Sequence, residues 1–217
     1  LDLPIHIHVA ETKDETGIIL KRYGKRPLAF LDELGYLDHP AVFAHGVELN
    51  SSEIERLAHS QVAIAHNPIS NLKLASGIAP IIQLQKADVP VGVATDSVAS
   101  NNNLDMFEEG RTAALLQKMK SGDASQFPIE TALKALTIEG AKVLGMEDQI
   151  GSLEVGKQAD FLVIQPNGKI HLQPQENMLS HLVYAAKSSD VKDVYIAGEQ
   201  VVRDGQVLTV ELETEFL

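Results

Sequence analysis

The chain has no cysteine among its 217 residues, which excludes disulfides and thiolate metal sites. Any metal it binds must therefore be held by His and carboxylate ligands. Positive charge is also scarce: 18 Lys and Arg face 30 Asp and Glu, a formal net charge of -12. That balance opposes nucleic-acid binding, which draws most of its affinity from basic side chains on phosphates. The acidic residues are spread along the chain instead of forming a tail, so their plain effect is solubility. No apolar run approaches the ~20 residues that span a bilayer, so no membrane association is expected. No basic, apolar leader ending in small residues precedes the first apolar strand, which predicts a cytoplasmic protein. What is present is ordinary for a globular chain: 44% hydrophobic and 22% charged residues, in a length suited to one large domain or to one domain with a small appendage.

Residues 1–100 repeat one rhythm, in which an apolar strand ends in polar residues and an amphipathic helix follows. The apolar runs predict strands at Ile5–Ala10, Ala41–His45, Val62–His66 and Val91–Asp96. Each is nearly continuous, as expected for parallel strands buried on both faces. Helices are predicted over Arg26–Leu37, Ser52–His59 and Ile78–Lys86, with Ser52 and Glu55 in capping-box spacing. Two longer helices follow, Leu104–Lys120 and Pro128–Leu144, the second opened by Pro and closed by Gly145. This strand–helix alternation implies an α/β fold with a parallel sheet. Beyond Gly145, glycines punctuate short β-rich pieces at Asp160–Ile164, Val194–Ala197 and Gln200–Val210, with Gly198-Glu199 as a hairpin turn. A helical stretch is predicted near Met178–Ala186. The expected organisation is an α/β body over residues 1–150 and a β-rich appendage over 151–217.

The informative polar residues stand at the ends of the four strands, where parallel α/β folds gather their chemistry. The first strand reads Ile5-His6-Ile7-His8-Val9-Ala10-Glu11-Thr12. His6 and His8 share a face because side chains two apart in a strand point the same way. Glu11 follows three residues after His8, within reach of anything His8 binds. The second strand ends at His45, the third at His66-Asn67-Pro68 and the fourth at Asp96-Ser97. Each has a plain structural explanation: a satisfied strand-end histidine, an Asx-type helix cap at Asp96, turn chemistry at His66-Asn67-Pro68. Recurrence at one register in every βα unit is what points to a site. His39, His59, His171 and His181 lack any such register and are assigned no role.

At these residues the chain resembles the amidohydrolase superfamily, and within it the 5-methylthioadenosine/S-adenosylhomocysteine deaminase branch near the triazine chlorohydrolase-like enzymes. The resemblance is carried by His8-Val9-Ala10-Glu11-Thr12, Ala44-His45-Gly46-Val47, the run His66–Leu74, the run Ala94–Asn102 and the tail Gly151–Asp160. It implies strands five to eight of a (β/α)8 TIM barrel, plus the C-terminal part of a small β-sandwich domain. A complete barrel takes ~250 residues, so the chain reads as truncated or as one part of a larger assembly. The open sheet edges of such a half lead to an expectation of homo-oligomers, or of a missing N-terminal half.

The resemblance further implies a role for each matching position. His8 and Asp96 would be metal ligands, for Zn²⁺, with Fe²⁺ or Mn²⁺ as alternatives. Glu11 would bind the heterocycle and act as general acid. His45 would orient the attacking water or the substrate, and Asp96 would serve as base. Ser100 and Asn101 would line the purine pocket. The implied reaction is hydrolytic deamination of an adenosine-type purine, releasing ammonia. A related chlorohydrolase or guanine deaminase is the alternative, and a catalytically inactive fragment or assembly module the third reading. With two metal ligands visible, the isolated chain is expected to bind metal weakly and to turn over little.

Overall fold

The computed structural model describes residues 3–210. Its first sheet is parallel and runs in the order β1 (Ile5–Val9), β2 (Ala41–His45), β3 (Val62–His66), β4 (Val91–Val93). Every residue of β2 and β3 is buried, which is why these strands carry unbroken apolar runs. Phe43, Ile64 and Val91 belong to the larger core together with Leu28, Leu57, Ile81 and Leu84 from the connecting helices. The opposite face is smaller in scale: Val42, Ala44, Ala63 and Ala65 cluster with Val143. A Cβ added at Gly92 would lie 2.9 Å from the Gly140 Cα, so only glycine permits this strand–helix approach.

The helices are α1 (Lys13–Tyr23), α2 (Pro27–Glu33), α3 (Ser51–Ala58), α4 (Pro68–Lys73), α5 (Ile81–Lys86), α6 (Val98–Asn101), α7 (Met106–Ser121), α8 (Ile129–Ala135), α9 (Ile138–Val143) and α10 (Met178–Tyr184). Several boundaries depart from the sequence expectation. The cap of α3 is Asn50 and not Ser52: Asn50 Oδ1 accepts from the Glu53 amide at 3.0 Å, and Glu53 Oε2 accepts from the Asn50 amide at 2.9 Å. The helix expected over Arg26–Leu37 stops at Glu33, because Gly35 at φ 80° turns the chain into a short 3₁₀ segment. The segment Pro128–Leu144 is two helices. Thr137 takes φ -131° and ψ -100°, with its hydroxyl donating to the Leu133 carbonyl at 2.7 Å, and this local bond accompanies the break.

Two helices near the site went unread in the sequence. Helix α1 exposes Ile18 and Leu20, so it has little apolar periodicity to reveal it. Its start is set by Thr12, whose Oγ1 accepts from the Glu15 amide at 3.1 Å. In His66-Asn67-Pro68, read as a turn, Pro68 instead opens α4, where its missing N–H costs nothing. The fourth strand is also shorter than expected, ending at Val93 and not at Asp96.

The second sheet is antiparallel, in the order β5 (Phe161–Ile164), β6 (Val191–Ile196), β7 (Glu199–Arg203), β8 (Gln206–Val207). The turn between β6 and β7 is Ala197-Gly198, one residue earlier than expected, with φ of 50° and 82°. The strand expected over Gln200–Val210 is itself a hairpin, turned by Asp204-Gly205 at φ 48° and 78°. Paired left-handed residues match the twist of the flanking strands, which is why Asp-Gly suits this position. Among the described residues no helix is long and apolar enough to cross a membrane.

Candidate metal and proton-transfer site

Side chains from the C-terminal ends of β1 and β2 and from the loop after β4 meet, and the backbone there is unusual. Ala10, His45 and Asp96 have φ of 53°, 75° and 61°, left-handed values that cost non-glycine residues about 1–3 kcal/mol. The turn at His45 breaks the alternation of β2 and brings its ring to the same point as His8, Glu11 and Asp96. His8 Nε2 lies 3.9 Å from Asp96 Oδ1, and His45 Nε2 lies 3.9 Å from both Glu11 Oε2 and Asp96 Oδ2. The His8 and His45 rings meet edge to face, with centroids 4.8 Å apart. Ligand atoms of His8, Glu11 and His45 all lie within 4.8 Å of one another. His45 is wholly buried whereas His8 is largely open, so the cluster is a mouth and not a sealed cavity.

Each member is held by residues from other segments. Asp96 Oδ2 accepts from Ser70 Oγ and from Ser100 Oγ, both at 2.6 Å. Burial pushes the Asp96 carboxyl up. The hydrogen bonds from Ser100, Ser70 and the Ser97 amide, with His45 close by, more than offset this and hold it below its ordinary range. His45 Nδ1 is 2.8 Å from Asn71 Oδ1. Glu15 Oε1 and Oε2 accept from the amides of Ala10 and Glu11 at 2.9 and 2.7 Å, fixing the loop that carries Glu11. Glu11 Oε1 in turn accepts from Ser76 Oγ at 3.4 Å.

Ser100 and Asn101, expected at the substrate, are buried and committed to the protein. Ser100 holds Asp96, and Asn101 Nδ2 donates to the Thr95 carbonyl at 2.6 Å and also to Glu109. Glu109 has no exposed surface, and Oε2 accepts from the Ile69 amide at 3.2 Å. Burial pushes its carboxyl up to about 7, against the bonds from Ile69 and Asn101. His66 is buried with no partner on either ring nitrogen, and burial lowers it to about 3. Neither His66 nor His6 is among the groups whose atoms approach Asp96 or Glu11 within an ion-pair distance. Sequence reading overlooked Ser70, Asn71, Glu15 and Glu109. Only Glu15 carried a signal, the Thr12-x-x-Glu15 capping spacing.

The donor set suits a divalent cation. It offers imidazole nitrogen and carboxylate oxygen, the ligands zinc takes where cysteine is absent. The 3.9 Å between His8 Nε2 and Asp96 Oδ1 falls within the span of two ligands each about 2.1 Å from one ion. His45 Nε2 is an orphaned buried polar atom facing the same point.

The amidohydrolase family model matches residues 1–201. The chain belongs to the amidohydrolase family. Members similar to it include a 5-methylthioadenosine/S-adenosylhomocysteine deaminase of Bacillus cytotoxicus, 53% identical over 96% of this chain and 48% of the relative. Among solved structures, an adenosine deaminase from Xanthomonas campestris with bound zinc superposes with a TM-score of 0.93 at 43% identity, covering 97% of this chain and 48% of that one. Atrazine chlorohydrolase from Arthrobacter aurescens, complexed with zinc, gives a TM-score of 0.88 at 27% identity, with 97% and 46% covered. The chain thus spans about half the length of the amidohydrolases it matches.

Proposed function

We propose that the protein to which these residues contribute is a metal-dependent deaminase. It would hydrolyse the exocyclic amine of an adenosine-type purine, with 5-methylthioadenosine and S-adenosylhomocysteine as the substrate class. One observation carries the reading: His8, Glu11, His45 and Asp96 meet at a single point in a chain 53% identical to a deaminase so named. The parallel sheet is read as strands five to eight of an eight-stranded barrel, over residues 1–150. Residues 151–217 are read as part of a β-sandwich.

His8 through Nε2 and Asp96 through Oδ1 would hold the ion. When bound, Zn²⁺ would supply the Lewis acidity that makes water nucleophilic near neutral pH. Asp96, kept ionised by Ser70 and Ser100, would take a proton from the attacking water and pass it toward the leaving amine. Glu11 would protonate the ring nitrogen next to the carbon under attack, so that negative charge does not build up on the heterocycle. His45 would set the direction of attack. The balance is one water consumed and one ammonia released per purine. Ser100 and Asn101 are assigned here to the support of Asp96 and its strand end, through the bonds described above.

Ammonia release measured on a protein of the relatives' length, against 5-methylthioadenosine, S-adenosylhomocysteine, adenosine, guanine and a chlorotriazine, tests this. Turnover of the adenosine compounds at least tenfold above the others is expected, with Glu11→Gln lowering it by about 10²–10⁴. Preferential turnover of guanine, or chloride release from the triazine, would overturn it in favour of the related activities. With two ligands in place of three or more, the 217 residues alone should hold zinc weakly and turn over little. Full zinc occupancy with normal turnover would contradict that.

A further inference from the structure

Helix α4 places two consecutive side chains on two different members of the site: Ser70 on Asp96 and Asn71 on His45. Ser70, Asn71 and His45 are all without exposed surface. The Asn71 carboxamide lies with Oδ1 2.8 Å from His45 Nδ1. With Oδ1 facing the ring and able only to accept, the hydrogen of that bond is placed on Nδ1, and the Asn71 Nδ2 is itself buried without a partner. A neutral imidazole carries a single N–H, and Nε2 is therefore left with a lone pair. That nitrogen has no partner, and it lies 3.9 Å from Glu11 Oε2 and from Asp96 Oδ2. Two carboxylates on its open side would favour the opposite tautomer, with an N–H on Nε2 pointing at them. The bond to Asn71 works against this.

We infer that Asn71 is a positioning residue that fixes the Nδ1–H tautomer of His45, so that Nε2 presents a lone pair to the point shared by His8, Glu11 and Asp96. The inference deepens the proposed function and rests on it only for the chemical consequence. With a lone pair inward, His45 receives a hydrogen bond from water at that point and does not give one. Water then has one oriented acceptor in His45, and the task of donating a proton to the substrate falls to Glu11. The anchoring is rigid, because α4 is fixed at both ends. The Asn71 amide donates to the Asn67 carbonyl at 3.0 Å, the Asn71 carbonyl accepts from the Ser76 amide at 2.9 Å, and the Ile69 amide is held by Glu109.

Long-range ¹H–¹⁵N spectra of the histidine side chains report tautomers directly and need neither metal nor substrate. The 217-residue chain is labelled with ¹⁵N, and the His45 signals are identified by their loss in His45→Gln. Wild type should show a protonated Nδ1 and a lone-pair Nε2. Asn71→Leu, similar in volume but without an acceptor, should shift the tautomer ratio at least tenfold toward Nε2–H. Leu72→Ala, at an exposed position in the same helix, should leave the ratio within twofold. An Nε2–H signal in wild type overturns the inference, as does an unchanged ratio in folded Asn71→Leu or an equal shift in Leu72→Ala. Should Asn71→Leu not fold, the wild-type and Leu72→Ala spectra still decide. A failed deaminase assay would leave these spectra unaffected, so the two readings stand or fall separately.

Discussion

The two sheets of this molecule are built from similar numbers of β-branched and aliphatic residues, yet they are used differently. In the parallel sheet, β2 and β3 are buried at every position. In the antiparallel sheet no strand residue is fully buried, and Leu162, Val163, Ile196 and Val207 are exposed. Layers on both faces remove water from β2 and β3 and leave their polar residues only at the strand ends, whereas β1 exposes His6 and His8. Functional groups there sit on a stiff base, and their departures from strand geometry at Ala10, His45 and Asp96 are tolerated because packing over-determines them. The second sheet depends on turn chemistry and pairwise contacts, such as the stacked Phe161 and Tyr195 rings 4.5 Å apart.

The contrast is broken most directly at Phe43, a wholly buried ring in β2. Phe43→Ala should destabilise the chain by about 3–5 kcal/mol, read as a lower denaturant midpoint. A loss under about 1 kcal/mol would mean that the parallel sheet is not the stabilising core. The next effect is on pH dependence. Glu109 binds its proton more tightly when folded than when unfolded, since burial raises it from 4.5 to about 7. Below about pH 4.5 both states hold the proton and the group contributes nothing to the slope. As pH rises from about 4.5 to 7 only the unfolded state releases it, so stability falls, by roughly 3 kcal/mol in total, and levels off above 7. Glu109→Gln should remove that fall, and urea titrations at several pH values would show a steeper rise of stability with pH in the variant. The smallest effect belongs to the second sheet: Leu162→Ser, at a half-exposed position, should change stability by no more than about 0.5 kcal/mol.

Much of this was legible beforehand, and the reason is physical. Parallel strands covered on both sides need continuous apolar runs, so β2 and β3 and their polar ends could be read from composition along the chain; β1, expected to be buried on both faces, instead exposes His6 and His8. His8, Glu11, His45 and Asp96 follow because each ends or follows one of those runs. The supporting residues were not legible. Ser70 and Asn71 act on other side chains across 26 positions of sequence and Glu109 on the Ile69 amide across 40, and no local period encodes such bonds. The left-handed turn at Asp96 has no glycine beside it, while at His45 only the following Gly46, at φ 58°, announces one. The break at Thr137 was hidden because the apolar spacing continues across it, whereas Asp204-Gly205 is a turn dipeptide between valine-rich runs and could have been read as one.

Among the described residues β2 has a strand on either side, whereas β1 and β4 each pair with one neighbour only. Amides on a strand bonded along both edges open only with the sheet as a whole, but those on an outer strand can open singly. His45 is therefore anchored to a strand bonded along both edges, while His8 lies on an outer strand and Asp96 in the loop just past the other. A cation bridging His8 and Asp96 would tie the outer strands together, so its binding should slow amide exchange in β1 and β4 and leave β2 almost unchanged.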